Sequence, residues 1–369
     1  MDPPAIVIRP LASGERRALA TVMRRSFGGL AGVVFSSGKT TFVAVAAGRL
    51  VGGAVAGTFP IDGARRGGIV KWLFTLPEAR GSGVASALLD RALAWFDEQG
   101  VTDAFACIEA LNAASSNRFA RRGFAPLGFA EQLRRFGARL PRVWWHANHV
   151  VDVGHVLWHR GAAEGIEPGR DAAERARGLG GLAATLALHA AFAALLLLRR
   201  GADVDPSAWV PFLLAPAVVV GVRTAAMALA GAGSGVVLRY RPWETGLLLA
   251  GAIAGLFGGP FVAPGSMTLR ARAWSPRSLE PLWVRMAFAG AIATVALAVL
   301  AAWGVAAGVA TSFAGPVSTY ARILATFDVL LPFFPMTAFS GRRMWAASRV
   351  GWAALAAIVL ALWAASPGA

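Results

Sequence analysis

Leu76-Pro77-Glu78-Ala79-Arg80-Gly81-Ser82-Gly83-Val84-Ala85 is the stretch on which this 369-residue chain turns. It follows a β-rich run over 68–76 and opens an amphipathic helical pattern that ends near Gly100, with Val84, Leu88, Leu89, Ala92, Leu93 and Phe96 at helical spacing. A strand that stops at a glycine-punctuated turn and resumes as a helix leaves several backbone N–H groups unpaired and converging, and the helix dipole favours negative charge at the same point. That combination suits a pyrophosphate.

Working outward from the turn, residues 5–9 read as a short apolar strand, and 14–27 carry helical spacing at Ala18, Leu19, Val22 and Met23 with arginines opposite. Two β-rich runs, 41–47 and 50–58, flank Gly48-Arg49, a hairpin signal. On the far side, 101–108 is another strand, 113–122 a short helix stopped by Gly123, and Phe124 returns the chain to extended structure. The order βαβββαβαβ predicts an α/β fold in which helices pack a mixed, mainly antiparallel sheet. Residues 142–159, rich in Trp, Val and His, are expected to add a final strand or hairpin, and 164–177, with Pro168 and Gly169, read as linker or juxtamembrane surface.

Composition divides the chain. The hydrophobic fraction of 56% and mean hydropathy of +0.56 are too high for an ordinary soluble protein. From about Gly181 the apolar runs approach the roughly 20 residues needed to cross a bilayer, over 181–198, 209–230, 247–262, 284–303, 323–339 and 350–363. The predicted organisation is a soluble domain over 1–160, a linker over 161–180, and an α-helical membrane domain over 181–369 with five or six spans. If 247–262 re-enters instead of crossing, the arginines of 270–285 face the cytoplasm, as the positive-inside tendency requires, with Arg199-Arg200 the exception.

The net charge of +16 comes mostly from arginines spread along the soluble half and between the apolar runs, with no basic, aromatic-interleaved recognition motif. This pattern points to membrane lipids with anionic headgroups as partner, and to no nucleic acid. Cys107 is the only cysteine, which excludes an intramolecular disulfide and a cysteine-based metal site. Met1-Asp2-Pro3-Pro4 lacks a basic patch followed by an apolar core, so no signal peptide is expected and the soluble domain is expected in the cytoplasm of a multi-pass cell-membrane protein.

Two motifs together resemble the GNAT family of N-acetyltransferases over about residues 5–160. The family's phosphate motif, Arg/Gln-x-x-Gly-x-Gly/Ala, is matched by Arg80-Gly81-Ser82-Gly83-Val84-Ala85, and its second signature by Asn112, Phe119 and Gly123-Phe124. The resemblance implies acetyl-CoA as cosubstrate and no metal. It implies that Arg80, Gly81, Ser82, Gly83, Val84 and Ala85 hold the diphosphate, and that the pantetheine arm pairs like an extra strand with backbone near Phe74, Thr75 and Leu76. Asn112 then contacts the cofactor arm or the start of its helix, and Phe119 stands at the family's tyrosine position.

Acyl transfer to an amine needs the amine deprotonated and the thiolate protonated, and the family often uses a carboxylate on the strand before the motif and a tyrosine on the later helix. This chain has Lys71 and Trp72 on that strand, no carboxylate, and a phenylalanine at the tyrosine position. Glu109 is the candidate base, with Glu78 next. His146, His149, His155 and His159, interleaved with Trp144, Trp145 and Trp158, read as a packing or membrane-interface surface rather than a metal site, with His146 or His149 open as an acceptor-side base.

The second half resembles, more faintly, the membrane domain of site-2-protease-like metallopeptidases. The carrying residues are Gly235, Arg239-Tyr240-Arg241-Pro242-Trp243-Glu244-Thr245-Gly246, Phe261-Val262-Ala263-Pro264-Gly265-Ser266, Asp328-Val329-Leu330-Leu331-Pro332-Phe333 and Ser340-Gly341-Arg342. Arg223-Thr224-Ala225-Ala226-Met227 occupies the place of the family's His-Glu-x-x-His, and Ser340 stands where Asp-Gly would supply a ligand. Arg and Met do not supply zinc donors, so the resemblance implies a degenerate domain without metal. Arg223, inside an apolar run, is the intramembrane residue that calls for a partner. Two functions are expected from these readings. One is a membrane-tethered N-acetyltransferase acting on an amine of unknown identity. The other is a non-catalytic acyl-CoA-sensing module coupled to a pseudoprotease-like domain that binds a protein or lipid.

Overall fold

The structure is a computed structural model that describes residues 6–27, 38, 40–109, 112–149, 155–161, 171–200, 207, 209–269, 276–332 and 338–365. The chain divides into two units, residues 1–108 with 114–167, and residues 109–113 with 168–369.

The first unit is built on a seven-stranded sheet. Its elements in chain order are β1 (Ile6–Pro10), α1 (Arg16–Phe27), β2 (Thr40–Ala46), β3 (Arg49–Pro60), β4 (Arg66–Thr75), α2 (Val84–Glu98), β5 (Asp103–Glu109), α3 (Ala113–Ala120), β6 (Ala125–Pro126), α4 (Phe129–Phe136), α5 (Leu140–His146) and β7 (His155–Gly161). The strand order is β1-β2-β3-β4-β5-β7-β6. β1 to β4 are antiparallel neighbours, as are β6 and β7, and β4 runs parallel to β5. A parallel pair needs a crossover, and α2 supplies it. The β2–β3 hairpin closes on Ala47 (φ +48°) and Gly48 (φ +73°), the two positive φ values that match a two-residue loop to the twist of its strands.

Both faces of the sheet are covered. A Cβ at Gly52 would meet Val84 of α2, and one at the next residue, Gly53, would meet Leu19 of α1. Since successive strand residues point to opposite faces, α1 and α2 lie on opposite sides. Gly53 and Phe59 are six residues apart on β3, so Phe59 faces the α1 side. There it joins Ile69, Phe105, Phe136, Leu140, Val143, Trp144 and Leu157 in one buried cluster under α4 and α5. Burying each of these side chains contributes about 1.5–3 kcal/mol.

The run over 142–159 supplies the expected final strand only in its last part, from His155. Its first part belongs instead to α5, with Pro141 in the opening turn, where its missing N–H costs nothing. Trp144 is buried and Trp145 is 69% exposed, which is helical rather than strand patterning of a Trp-rich segment. Trp144 Nε1 donates to Gln132 Oε1 at 2.6 Å, and Gln132 Nε2 donates to the Leu127 carbonyl at 2.9 Å, so the two short helices are fastened through buried polar groups. β7 then begins at His155, and His159 Nε2 lies 2.9 Å from Asp103 Oδ1, joining β7 to the start of β5.

The second unit is helical, with α6 (Asp171–Arg200), α7 (Trp209–Gly231), β8 (Leu238–Arg241), α8 (Glu244–Ala252), β9 (Ser266–Leu269), α9 (Pro276–Ala306), α10 (Thr311–Leu330), α11 (Gly341–Ala347) and α12 (Arg349–Ala364). Among the described residues three stretches are long and apolar enough to cross a membrane, Gly178–Arg199, Trp209–Gly231 and Leu279–Ala306, and they coincide with the predicted runs 181–198, 209–230 and 284–303. Two further apolar helices are shorter, Glu244–Phe257 and Arg349–Ala364. The run over 247–262 covers α8, its π-helical continuation Ile253–Phe257 and extended chain beyond, a helix of only about 20 Å against a bilayer core of roughly 30 Å. The run over 323–339 includes 333–337, outside the described residues, as does 164–170 of the predicted linker. Residues 171–180 of that linker already belong to α6.

Arg223 has its partner. Its guanidinium, 1% exposed in the middle of α7, donates from Nε to Asp328 Oδ2 at 3.0 Å and from Nη2 to Oδ1 at 2.9 Å. Nη2 also donates to the Ala338 carbonyl at 2.9 Å and the Ser340 hydroxyl at 3.3 Å, while the Ser340 N–H donates to Asp328 Oδ1 at 2.7 Å. Arg223→Met would leave Asp328 as a buried unpaired carboxylate and is expected to cost about 3–5 kcal/mol. Thermal unfolding in detergent checks this: the midpoint should fall in Arg223→Met and recover in the double variant with Asp328→Leu, and an unchanged single variant would contradict the assignment.

Candidate functional site

The site begins where two strands part. β4 and β5 pair only from Gly67↔Asp103 to Val70↔Ala106. On the other side of β4 the register with β3 slips: Ala56 pairs with Val70 and Val55 with Trp72, leaving Lys71 as an extra residue. A bulge of this kind bends and twists its strand. It also changes which side chains face which side. Gly68, before the bulge, lies against Phe96 of α2, whereas Phe74, six residues later, packs with Leu19 of α1. Beyond Lys71 the two parallel strands are no longer paired, and a wedge opens between them.

The wedge leads to the glycine turn. Leu76 N–H donates to the Val51 carbonyl at 2.8 Å and fixes the end of the strand. A single 3-10 turn, Pro77–Ala79, follows, and then Arg80, Gly81, Ser82 and Gly83 are all exposed. Gly81 (φ +86°) and Gly83 (φ +84°) adopt the left-handed conformation that a side chain disfavours, and a Cβ at either position would meet nothing within 4 Å. Gly83 caps α2, its carbonyl accepting from Ser86 and Ala87. Among the described residues, none of the N–H groups of 81–85 has an acceptor. These donors sit unpaired at the positive end of a 15-residue helix, with 80–83 exposed.

Cations stand beside the turn. Arg80 reaches back to the Ser26 carbonyl at 3.2 Å. Arg118 on α3, absent from the residues singled out in the sequence, places Nε 3.4 Å from Ser86 Oγ in the first turn of α2. Burial, then Arg122 and Arg121, lower its pKa. Its only signal in the sequence is adjacency to Phe119. Arg122 pairs with Asp90 at 2.7 Å and donates to the Ser86 carbonyl, holding α3 against α2.

The remaining expected residues separate by what they offer. Phe74 and Val84 are buried, at 3% and 2% exposure, so only their backbone is available. The Thr75 carbonyl already accepts from Ser26 Oγ at 3.0 Å. Ala85 is half-buried in the first turn of α2. Asn112 leads into α3, its N–H bonded to the Glu109 carbonyl at 2.9 Å. Phe119 is 3% exposed and meets Phe124 edge to face, with centroids 5.0 Å apart, so its ring is engaged in packing. Glu78 pairs with Arg25 at 2.9 Å; its own backbone N–H and that guanidinium hold its carboxyl below the ordinary value, which makes it a weaker base. Glu109 is the last residue of β5.

The histidines do not converge. His146 stacks on Phe59, with centroids 4.8 Å apart and planes 14° from parallel. His149 is buried against Trp144, with Nδ1 3.7 Å from Cys107 Sγ, and His159 is bonded to Asp103.

Residues 21–124 match the family model described as Acetyltransferase (GNAT) family. The matched segment runs from α1 through β4, the glycine turn, α2, β5 and α3, and it is a GNAT acetyltransferase domain; the cosubstrate of that family is acetyl-CoA. No curated protein matches the chain. Among solved structures, the chain is similar to N-acetylglutamate synthase from Neisseria gonorrhoeae complexed with coenzyme A and N-acetyl-glutamate, at 19% identity over 44% of this chain and 36% of that one, with a TM-score of 0.33. It thus spans about a third of that protein's length. It is also similar to the ribosomal-protein-S18-alanine N-acetyltransferase of Escherichia coli, at 14% identity over 45% of this chain and 99% of that one, with a TM-score of 0.32. A third is the PaiA N-acetyltransferase of Thermoplasma acidophilum in complex with coenzyme A, at 12% identity, 42% and 99% coverage and a TM-score of 0.30.

The turn has a stability signature of its own. Gly83→Ala meets no steric neighbour but must hold φ near +84°, so a loss of about 1–2 kcal/mol is expected in chemical denaturation. Full stability in that variant would show that the turn relaxes to another conformation.

Proposed function

We propose that this chain is a membrane-tethered N-acetyltransferase that moves the acetyl group of acetyl-CoA to an amine. The observation that carries the proposal is the set of unpaired N–H groups at 81–85, on an exposed turn that follows the strand where β4 and β5 part. Space at Gly81 and Gly83, which a Cβ would fill, fits a bulky diphosphate. Arg80, Gly81, Ser82, Gly83, Val84 and Ala85 would hold it, Arg118 would add charge, and the strand end Phe74, Thr75, Leu76 would line the arm, with Asn112 and Phe119 on the far side. Acetyl-CoA, when bound, supplies a thioester whose carbonyl an amine attacks. The chain's part is to orient it, exclude water and take up a proton, and Glu109, the last residue of β5, is the carboxylate we assign to that role.

The three long apolar helices support membrane association, with membrane lipids as partners. We place the N-terminal domain in the cytoplasm, on the arginines between the apolar runs. A second reading, an acyl-CoA sensor coupled to a membrane-protein partner, is favoured by Phe119 at the tyrosine position and by the absence of a carboxylate on β4. The meeting of Arg223, Asp328 and Ser340 is consistent with a degenerate metallopeptidase-like domain in which a guanidinium stands at the ligand position.

Incubating the full chain in detergent with labelled acetyl-CoA and a broad panel of amines separates the two: transfer of label supports the enzyme, and cofactor binding without transfer supports the sensor. Acetyl-CoA should raise the unfolding temperature of the first unit, and Gly83→Glu should abolish the shift; identical melting with and without acetyl-CoA would sink both readings. A topology reporter inserted after Arg277 should report the cytoplasm, and an external signal would exclude the re-entrant arrangement of 247–262.

A further inference from the structure

The second unit holds a buried arginine that lacks what Arg223 has. Arg343, on the short helix α11, is 8% exposed. Its guanidinium makes no hydrogen bond and no ion pair among the described residues, and its Nε is enclosed without a partner. Asp328, whose charge reaches it, is already engaged by two N–H groups of Arg223 and by the Ser340 N–H, and Arg223 itself acts on Arg343 as a like charge. A guanidinium taken out of water needs an anion beside it, and here that place is open.

Packing holds the side chain in this position. Its Cζ lies 4.7 Å from the centre of the Trp283 ring on α9, a cation–π contact. The next residue, Met344, is buried with Ala287 and Ala291 of α9, Val329 of α10 and Leu355 of α12 in one cluster, so α11 is fixed across three helices. Trp283 stands one turn inside the apolar stretch Leu279–Ala306, about 6 Å from its start. The Arg343–Trp283 pair therefore lies at the end of a stretch long enough to cross a bilayer, the level at which tryptophans meet lipid headgroups. α11 carries a second pair of this kind: Trp345, 39% exposed, has Arg349 Cζ 5.4 Å from its ring centre, and Arg349 opens the apolar helix α12. Water can hydrate the exposed Arg349, whereas the enclosed Arg343 depends on a counter-ion.

Resting on the reading of the second unit as a membrane domain, we propose that Arg343 is the binding site for a phosphate group, supplied by the headgroup of an anionic phospholipid. Of the three guanidinium nitrogens only Nε is wholly enclosed, so the two Nη groups are the edge offered to the ligand. That planar fork matches two oxygens of one phosphate, and Trp283 stacked on its face keeps the fork in plane. Inorganic phosphate has the same oxygens but no acyl chains to hold it at this level.

The test reconstitutes the full chain into vesicles of phosphatidylcholine alone and of phosphatidylcholine with phosphatidylglycerol in equal parts, then counts retained lipid by native mass spectrometry. The wild type should retain phosphatidylglycerol, Arg343→Gln should lower its retention about tenfold or more, and Arg343→Lys, which keeps the charge and loses the fork, should fall between them. Arg349→Gln, which removes an exposed charge from the same end, should retain as the wild type does. In detergent, phosphatidylglycerol should raise the unfolding temperature of the wild type and millimolar inorganic phosphate should not. An equal rise with inorganic phosphate alone would overturn the lipid as the source. Equal retention in wild type and Arg343→Gln, or an equal loss in Arg349→Gln, would overturn the site and leave the membrane reading standing. Failure of the wild type to float with either vesicle would overturn both.

Discussion

Four residue pairs are all that join β4 to β5, and the first unit's chemistry depends on their ending there. Had the parallel ladder continued to Thr75, the strands would satisfy each other and no ligand would find a backbone edge. The extra residue at Lys71 bends β4 as the ladder stops, and the strand then delivers the chain to a turn whose donors are also unpaired. On the proposed reading, one irregularity links a slot for an extended chain to a cradle for an anion. α1 and α2, on opposite faces, hold the parted strands in place by burying Phe74 on one side and Phe96 on the other.

Some of this was readable in the residues and some was not. The glycines at 81 and 83 announce the turn because positive φ has few other residue solutions, and the helix after them shows its apolar face in plain spacing. The hairpin around Gly48 declares itself for the same reason. The bulge does not, because Lys71 in a run of β-formers looks like any outward residue; only the slipped pairing of Ala56 and Val55 reveals it. Residues 140–146 mislead in the opposite direction. Val143, Trp144 and Trp145 have strand propensity, but Pro141 starts a helix and the buried bond from Trp144 to Gln132 secures it, a case of tertiary contacts overriding local preference. Arg118 stayed hidden because an arginine on a short helix has many solvent-facing explanations, and nothing local shows that Ser86 lies across from it.

The second unit gives a different lesson about what a single residue can signal. Arg223 stands out because a guanidinium inside an apolar run is costly, and that cost predicts a partner without naming one. Asp328 and Ser340 are more than a hundred residues further on, beyond the reach of any local pattern. Once together they form a closed set in which the carboxylate takes two guanidinium N–H groups and a backbone N–H. A buried pair satisfied on this scale is better evidence of a defined arrangement of helices than of high stability, since a well-packed apolar replacement would do as well energetically.

That pair also sets an order of events in the making of the protein. Arg223 emerges from the ribosome 105 residues before Asp328, so α7 is complete, and apolar enough to partition into a bilayer, while its central charge has no counter-ion. The pair can therefore close only after both α7 and α10 have been made, so the last packing step of these helices waits for the later one.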